Sequence, residues 1–164
     1  MLTSEGSDRL QFTLHTDGGC SPNPGPGGWA FVLEHDGTLT EQFGGEPKST
    51  NNRMELTAVI RGFEAALEVS GGGLPAIELI GDSQYVLKGL TEWMPGWKAN
   101  NWTRKVSGSR KPVLNEDLWR QLDTLKSEFE LTVTWVKGHS GHPGNERCDV
   151  LVKDGIRSIG GTVA

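Results

Sequence analysis

The sequence predicts an α/β (α+β mixed) protein in which one mixed sheet of five strands is flanked by helices. Some segments alternate apolar and polar residues as strands do, and others repeat apolar residues at helical spacing. Their order is three strands, helix, strand, helices, strand, helix. The two later strands follow crossover connections, so we expect them to lie parallel to the first. With 164 residues, 35% of them hydrophobic, the chain has the size of a single domain.

Three strands are predicted before the first helix. Apolar residues at positions 10, 12 and 14 alternate with polar ones in a strand that runs into Asp17. The segment GGCSPNPGPGG that follows is so rich in Gly and Pro that we expect a turn there. Strands over residues 29–34 and 38–43 flank the hairpin signal Asp36-Gly37, which predicts an antiparallel meander.

The stretch NNRMELTAVIRGFEAAL, residues 51–67, predicts the first helix. At about 100° per residue its apolar side chains form one stripe. Asn51 and Asn52 can either cap the first turn or meet a ligand. Glu55 lies at the shoulder of the stripe, where a partly buried carboxylate is costly unless a cation meets it. Core packing therefore does not explain Glu55.

The second half of the chain adds two strands and three helices. A short apolar strand ends at Asp82, and a helix begins around Ser83. Asn115 is predicted to cap a helix over NEDLWRQLDTLKSEF, the alternation in FELTVTWVKG predicts the fifth strand, and Asn145 is predicted to cap a last helix that reaches about Ser158. The chain thus divides into a polar tail over residues 1–8, a domain over residues 9–158 and a short tail over residues 159–164.

Composition and charge narrow the class of protein. We expect no signal peptide and no membrane span, because no segment has the required apolar character. Cys20 and Cys148 form no paired motif and are expected to be free thiols in or near the core of a cytoplasmic protein. The net charge of −5 opposes a phosphate backbone, so any binding of nucleic acid must be local. Nothing demands a dimer, and we expect a monomer.

One local segment suits nucleic acid. Between Trp93 and Asn115 there is no Asp or Glu, and cations are interleaved with three tryptophans. Indoles can pack on sugars and bases while cations meet phosphates. The alternative is that the tryptophans fix this segment to the domain, and we expect at least one of them to do so. The candidates for substrate contact are Trp93, Trp97, Lys98, Trp102 and Arg104.

Four carboxylates occupy positions that solubility does not explain. Asp17 and Asp82 end two strands whose carboxyl ends meet if the strands are parallel neighbours, Glu55 lies on the first helix, and Asp149 lies in the last. Each acid alone suits a turn or a helix start. Together they need cations, and oxygen ligands favour Mg²⁺, with Mn²⁺ as a substitute. Two such ions can support in-line hydrolysis of a phosphodiester.

Other signatures are weaker. His139, in a glycine-flanked loop after the fifth strand, is either a proton carrier or a surface histidine in a mobile loop. A zinc site of His139, His142 and Cys148 lacks a fourth ligand. The sequence has no G-x-x-x-x-G-K-[ST] phosphate loop and no G-x-S-x-G nucleophile elbow. These patterns leave the acids as the main candidates for chemistry.

Four motifs, TDGGC...NPGPGGW, TNNRMEL, DSQYV and WVKGHSGHPGNERCD, resemble those of bacterial ribonuclease H of type 1, over roughly residues 10–158. The resemblance implies a ribonuclease H-like fold and divalent-metal-dependent endonucleolytic cleavage of the RNA strand of RNA·DNA hybrids, leaving 5′-phosphate and 3′-hydroxyl ends. It implies that Asp17, Glu55, Asp82 and Asp149 bind the metal, with two Mg²⁺ ions in catalysis. It also assigns the loop histidine of the family to His139.

The resemblance also implies which residues contact the hybrid. Neutral amides and backbone groups can meet 2′-hydroxyls and base edges in the minor groove. The matching positions are Cys20, Asn23, Asn51, Asn52 and Gln84, together with the basic tryptophan segment. Asn145 matches a residue at the edge of the family's substrate site, with a supporting role. The family implies primer removal and the resolution of hybrids formed in transcription, while a replication or single-stranded-DNA-binding partner stays open.

Two other hypotheses stay open. A module that holds hybrids or double-stranded RNA without cutting would need a lost acid, and none is missing. A nuclease of related architecture that acts on duplex or junction DNA usually lacks the paired motifs NNRMEL and KGHSGHPGNERCD, which this sequence has.

Overall fold

The computed structural model describes residues 11–163. The predicted tail over residues 1–8 and the first apolar position of the predicted strand, Leu10, lie outside them. The described residues form β1 (Gln11–Cys20), β2 (Gly25–His35), β3 (Thr38–Ser49), α1 (Asn51–Ser70), β4 (Ala76–Gly81), α2 (Gln84–Lys88), α3 (Met94–Ala99), β5 (Thr103–Val106), β6 (Ser109–Pro112), α4 (Glu116–Lys126), β7 (Glu130–Trp135) and α5 (Pro143–Ser158). A π-helical segment, Gly89–Trp93, joins α2 to α3.

Five of the strands form one mixed sheet in the order β3-β2-β1-β4-β7. β2 pairs antiparallel with both β1 and β3, whereas β4 pairs parallel with β1 and with β7. The predicted fold class, the antiparallel meander and the parallel later strands are therefore confirmed. Because β1 and β4 are parallel neighbours, their carboxyl ends lie side by side at one edge of the sheet.

Helices cover both faces of the sheet. A side chain added at Gly27 would meet Met54 of α1, whereas one added at the next residue, Gly28, would meet Val152 of α5. Successive strand residues point to opposite faces, so α1 and α5 lie on opposite sides. The main core lies on the α1 side, and a smaller cluster that includes the free thiol of Cys148 lies under α5. Within residues 11–163, no helix combines the length and apolar character that crossing a membrane requires.

The glycine- and proline-rich segment after Asp17 is more regular than the sequence predicts. β1 continues to Cys20 and β2 begins at Gly25, so the connection is only residues 21–24. The prediction of an irregular turn over the whole segment was wrong, because its glycines pair within the sheet. They also let helices come close: a Cβ at Gly18 would lie 2.3 Å from the carbonyl carbon of Met54.

Two helix starts differ from the sequence prediction. Asn115 precedes α4 with a φ of +59° and makes no capping bond. Its side chain instead accepts from Arg53 Nη1 at 3.3 Å and donates to the Tyr85 hydroxyl at 3.1 Å, so it links α1 to α2. Asn145 does not cap α5, because the helix already begins at Pro143.

Two other helix starts are now defined. Thr50, and neither Asn51 nor Asn52, caps α1, and its Oγ1 accepts from the backbone N–H of Arg53 at 3.2 Å. The two asparagines lie within the first turn, which leaves their side chains for other contacts. Ser83 caps α2, as the predicted helix start around this residue indicates.

The basic tryptophan segment forms α3 and a separate hairpin of β5 and β6, neither of which the sequence predicted as regular structure. Trp102 is only 8% exposed and packs in the main core, with Trp97 against it. The expectation that at least one tryptophan fixes this segment to the domain is therefore confirmed.

We expect Gly18→Ala to lower the free energy of unfolding and Gly19→Ala to leave it nearly unchanged. A methyl group at position 18 has to displace the backbone of α1, at a cost of about 1–3 kcal/mol or more. At position 19 the nearest atom is Asn51 Oδ1, at an ordinary contact distance of 3.6 Å. Urea unfolding of both variants measures the difference. Equal stabilities would contradict the close approach of α1 to β1.

Candidate active site

Three of the four predicted acids meet at the carboxyl ends of β1 and β4. Asp17 in β1, Glu55 on α1 and Asp82 after β4 each offer a carboxylate oxygen, and these oxygens all lie within 4.8 Å of one another. Asp17 is 9% exposed, and the other two are half-buried. The parallel pairing of β1 with β4 brings the two aspartates to the same edge, and α1 adds the glutamate.

The backbone at Gly18 brings Asp17 and Glu55 together. Strand and helix approach so closely there that the Glu55 backbone nitrogen would lie 2.5 Å from any Cβ at this position. The Gly18 backbone amide lowers the pKa of both carboxylates, against the larger effect of burial. This contact explains why an acid stands at the shoulder of the apolar stripe of α1.

Asp82 is held from the neighbouring strand β7. Trp135 Nε1 donates to the main-chain oxygen of Asp82 at 3.1 Å. The backbone N–H of Val136 donates to Gly81 O at 3.0 Å. A Cβ at Gly138 would lie 2.8 Å from Asp82 Oδ2, so the loop after β7 lies directly against this carboxylate. β7 and its loop therefore fix the position of Asp82.

The three carboxylates are poorly solvated and repel one another. The pKa of Asp17 is raised to about 7, first by burial and then by the charge of Asp82, with a smaller effect of Asp149. Burial also raises the pKa of Glu55 well above its usual range, and the charges of Asp17 and Asp82 add to this. Within residues 11–163, none of the three forms an ion pair with Lys or Arg. The group therefore fits a divalent cation that prefers oxygen ligands.

Asp149, the fourth predicted acid, lies close to this group but not within it. It is near enough for its charge to raise the pKa of Asp17. Its own carboxylate forms an ion pair with Lys153 Nζ at 3.4 Å, one turn along α5. The structure therefore gives three clustered carboxylates and one neighbour that already has a cationic partner.

His139 lies exposed in the loop after β7. Its φ of +58° is in the left-handed region, which residues other than glycine rarely adopt. Such conformations persist where the surrounding structure holds them, and they cluster at functional sites. Because the adjacent Gly138 lies against Asp82, the same short loop carries His139 and contacts the group of acids.

A row of polar groups borders the acids. Asn51 Oδ1 accepts from the backbone N–H of Cys20 at 2.7 Å, and the backbone N–H of Asn51 donates to Asn23 Oδ1 at 3.0 Å. These bonds join the end of β1, the turn after it and the start of α1. Both amide oxygens are used, which leaves the two NH₂ groups as donors. Asn52 and Gln84 are exposed at the starts of α1 and α2.

Two predicted contacts have little surface to offer. Asn145 is 4% exposed within α5, and its Nδ2 has no hydrogen-bond partner among the described residues. Trp102 is buried in the main core, and its ring packs beside that of Trp97. The burial of Asn145 and Trp102 is at odds with direct contact to a substrate and gives both side chains a supporting position.

The other predicted contacts in the basic segment differ in how free they are. Trp93 is 38% exposed, whereas Trp97 is half-buried. Lys98 Nζ is paired with Asp123 Oδ1 at 3.0 Å, so α4 partly neutralises it. Arg104 is exposed on β5, in no ion pair among residues 11–163, and stands opposite Lys111 of β6. The cationic surface of this segment is therefore the hairpin more than α3.

Three residues that build the site were not predicted from the sequence. Gly18 and Gly138 each lie directly against a carboxylate-bearing segment, and a glycine beside a predicted catalytic acid is a sequence signal of close approach. Trp135 belongs to the alternating pattern that predicts the fifth strand. It is 49% exposed, and its bond to Asp82 O has no sequence signal.

The fold and site together define an α/β protein with a carboxylate site for divalent cations. The family model for RNase H matches residues 9–157. The ribonuclease H of Cupriavidus necator is 48% identical over 150 residues, which cover 92% of this chain and 98% of that protein. That of Alkalilimnicola ehrlichii is 52% identical over 141 residues, which cover 86% and 91%. The chain belongs to the ribonuclease H family, a family of endoribonucleases.

Solved structures agree with this assignment. LC9-RNase H1, a type 1 RNase H with the type 2 active-site motif, has a TM-score of 0.77 at 27% identity, covering 92% of this chain and 74% of that one. LC11-RNase H1, solved in complex with an RNA/DNA hybrid, has a TM-score of 0.68 at 24% identity, covering 90% and 98%, and shows the likeness of fold. The predicted ribonuclease H-like fold is confirmed. Family and fold support divalent-metal-dependent cleavage of the RNA strand in hybrids.

We expect Asp17→Asn to stabilise the metal-free protein at pH 8 and to have little effect at pH 4. The folded pKa of Asp17, about 7, lies above the unfolded value of 3.8, so folding favours the protonated carboxyl. That stabilisation is complete below the unfolded pKa and is lost as the pH rises through 7. Removing the charge should raise the free energy of unfolding at pH 8 by about 1–3 kcal/mol, measured by urea unfolding with a chelator.

Asp154→Asn is the matched control, since Asp154 lies on α5 and pairs with Arg157 at the surface. It should show no gain at pH 8. Added Mg²⁺ should narrow the difference between the Asp17 variant and the parent, because only the parent keeps all its ligands. If Asp17→Asn is less stable than the parent at pH 8 without metal, the conclusion that repulsion among the clustered carboxylates destabilises the fold is wrong.

Proposed function

We propose that the protein hydrolyses the RNA strand of RNA·DNA hybrids and leaves 5′-phosphate and 3′-hydroxyl ends. The observation that carries this proposal is the group of Asp17, Glu55 and Asp82 at the carboxyl ends of parallel strands, in a chain of the ribonuclease H family. The proposed metal is Mg²⁺, with Mn²⁺ as a substitute. Carboxylate oxygens without an ion-pair partner favour such hard cations.

The four acids have distinct proposed roles. Two Mg²⁺ ions held by them would supply activation of the attacking water and stabilisation of the leaving oxygen. Asp17 and Glu55, brought together at Gly18, form the buried side of the site. Asp82 is fixed from β7, and Asp149 adds its carboxylate from α5 after releasing Lys153. His139, exposed in the adjoining loop, has the proposed role of taking up a proton from the attacking water or delivering one to the leaving 3′-oxygen.

The polar row at the edge of the site provides the proposed means of telling RNA from DNA. The fixed carbonyls of Asn51 and Asn23 leave amide donors for 2′-hydroxyl oxygens and for acceptors in the minor groove. Cys20, Asn52 and Gln84 border the same edge. The hybrid bound by LC11-RNase H1, which shares this fold, supports a hybrid as substrate. Trp93 and the cations of the hairpin are proposed to hold phosphates and sugars.

We also propose that the enzyme acts as a monomer in the cytoplasm, on primers or on hybrids formed in transcription. The family assignment and the absence of paired cysteine motifs support this setting. Two alternative functions make different predictions. A module that only binds hybrids or double-stranded RNA would cleave no substrate, and a nuclease of related architecture would cleave duplex or junction DNA.

We expect cleavage of an end-labelled RNA·DNA hybrid, and of neither single-stranded RNA nor duplex DNA, with Mg²⁺ or Mn²⁺ and none with a chelator. Asp17→Asn should reduce cleavage below detection, because Asp17 is the most buried ligand of the group. Asp149→Asn should keep measurable activity, because Asp149 lies outside the group of three clustered carboxylates and already shares its charge with Lys153. Gel analysis of the products also gives the chemistry of the ends.

Asp154→Asn again provides the control and should cleave like the parent. Undiminished cleavage by the Asp17 variant would refute the assigned role of this acid. Binding of the hybrid by the parent without cleavage would favour the binding module, and cleavage of duplex DNA would favour the related nuclease.

We expect Arg104→Gln to weaken hybrid binding and to make it less dependent on salt. Each cation that meets a phosphate contributes about 0.9 to the slope of log affinity against log salt concentration. Arg157→Gln, on the far helix α5, should leave the slope unchanged. Both are measured by anisotropy of a labelled hybrid in the Asp17→Asn background, which avoids cleavage. An unchanged slope for the Arg104 variant would remove the hairpin from the interface.

A further inference from the structure

A groove next to Asp82 has a lining that the proposed reaction does not use. It is a cleft of about 410 Å³ between α2, the π-helical segment and the end of β7. Leu87 and Val133 give it an apolar floor, and Gln84, Lys88 and Thr91 place an amide, an ammonium group and a hydroxyl along it. Trp135 forms the end of the groove that lies against Asp82. The groove is therefore continuous with the candidate active site.

Trp135 differs from the other tryptophans of the protein. Among the described residues, each of the other five indoles contacts another aromatic ring. Within residues 11–163, Trp135 contacts neither an aromatic ring nor a cation, and it is 49% exposed. Its polar edge is already fixed by the bond from Nε1 to Asp82 O. An indole with a fixed edge and an exposed surface is a preorganised stacking platform.

We propose that this groove binds an unpaired nucleobase of the RNA strand where that strand leaves the hybrid beside Asp82. The inference rests on the proposed function. The indole stacks on the base, the Gln84 amide meets its polar edge, and Lys88 meets a phosphate. The Thr91 hydroxyl already donates to Leu87 O at 2.8 Å, so it meets the base as an acceptor. Lys88 forms no ion pair within residues 11–163, although Glu92 also lines the groove.

Two features favour a nucleotide over an apolar peptide segment. The lining mixes an aromatic surface with hydrogen-bonding groups and a cation, which matches a base with its phosphate. The groove is also lined by Gln84, a proposed substrate contact, and by Trp135, which bonds to the main-chain oxygen of Asp82, so it lies next to the acids that would hold the strand.

The test compares hybrids in the Asp17→Asn background, which binds without cutting. One hybrid is blunt, two carry three unpaired RNA nucleotides at the 5′ or the 3′ end, and two carry the same extensions without bases. Extension at one of the two ends should tighten the Kd by about fivefold or more. The abasic extension should give no gain, because it keeps the phosphates and lacks the base.

Two variants of Trp135 isolate the ring. Trp135→Phe and Trp135→Leu both lose the bond to Asp82 O, so any shift of Asp82 is common to both. Phe should keep most of the gain from the extension, whereas Leu should abolish it. Lys88→Gln should reduce the gain, and Lys126→Gln, whose lysine contacts Leu90 O away from the groove, should leave it unchanged.

Equal affinities for extended and blunt hybrids would overturn the proposal and leave the groove to another occupant, such as a peptide. A gain that survives in Trp135→Leu, or that persists with abasic extensions, would overturn it too. In each of these cases cleavage of the blunt hybrid by the unmutated enzyme still stands as the test of the proposed function. Failure of the unmutated enzyme to cleave a blunt hybrid would instead count against that function.

Discussion

The contact between Gly18 and the backbone of Met54 and Glu55 is the constraint on which the acid site depends. It brings α1 against the end of β1 with no room for a side chain between them, and the Gly18 amide opposes the rise that burial causes in the pKa of Asp17 and Glu55. A larger residue would separate the helix from the strand and with it Glu55 from Asp17. Sheet topology alone aligns Asp17 with Asp82, whereas this contact adds the third ligand.

The clustered acids at this edge of the sheet lower the stability of the fold when they are charged. Burial and mutual repulsion disfavour the charged forms of Asp17 and Glu55 in the absence of a cation. Contacts whose strength does not depend on pH hold the carboxylates in place despite this repulsion. They are the parallel pairing of β1 with β4, the Trp135 bond to Asp82 O and the packing of Gly138 against Asp82. The scaffold is thus rigid at the position where its charges are least favourable, which suits a preorganised metal site.

Much of this architecture could be predicted from the sequence, because the alternation of apolar and polar residues and their helical spacing indicate which side chains are buried. The five strands, the helix that carries Glu55 and the position of both strand-end aspartates follow from those patterns. Helix caps were less predictable. Asn115 is a residue type that often caps helices, yet its side-chain amide bonds to Arg53 and Tyr85 instead of to the first turn of α4. Tertiary contacts explain the other differences as well, since the pairing of Gly19 with Gly28 and the outward position of Trp135 depend on partners distant in sequence. The ion pair of Asp149 with Lys153 could have been predicted, because the two residues stand four apart on the predicted last helix.

The hairpin of β5 and β6 places Arg104 opposite Lys111 and Lys105 opposite Arg110. Facing cations on paired strands repel each other, so these cross-strand pairs do not hold the ribbon together. Its backbone ladder and the buried Trp102 and Val113 at its base do so instead. The Arg110 side chain adds hydrogen bonds to Thr103 O at 3.4 Å and to Asn100 Oδ1 at 3.0 Å. Successive residues of a strand point to opposite faces, so Arg104 and Lys111 lie on one face of the ribbon and Lys105 and Arg110 lie on the other. A polyanion that meets one face gains from two cations at once, and little conformational entropy is lost because the ribbon is already ordered.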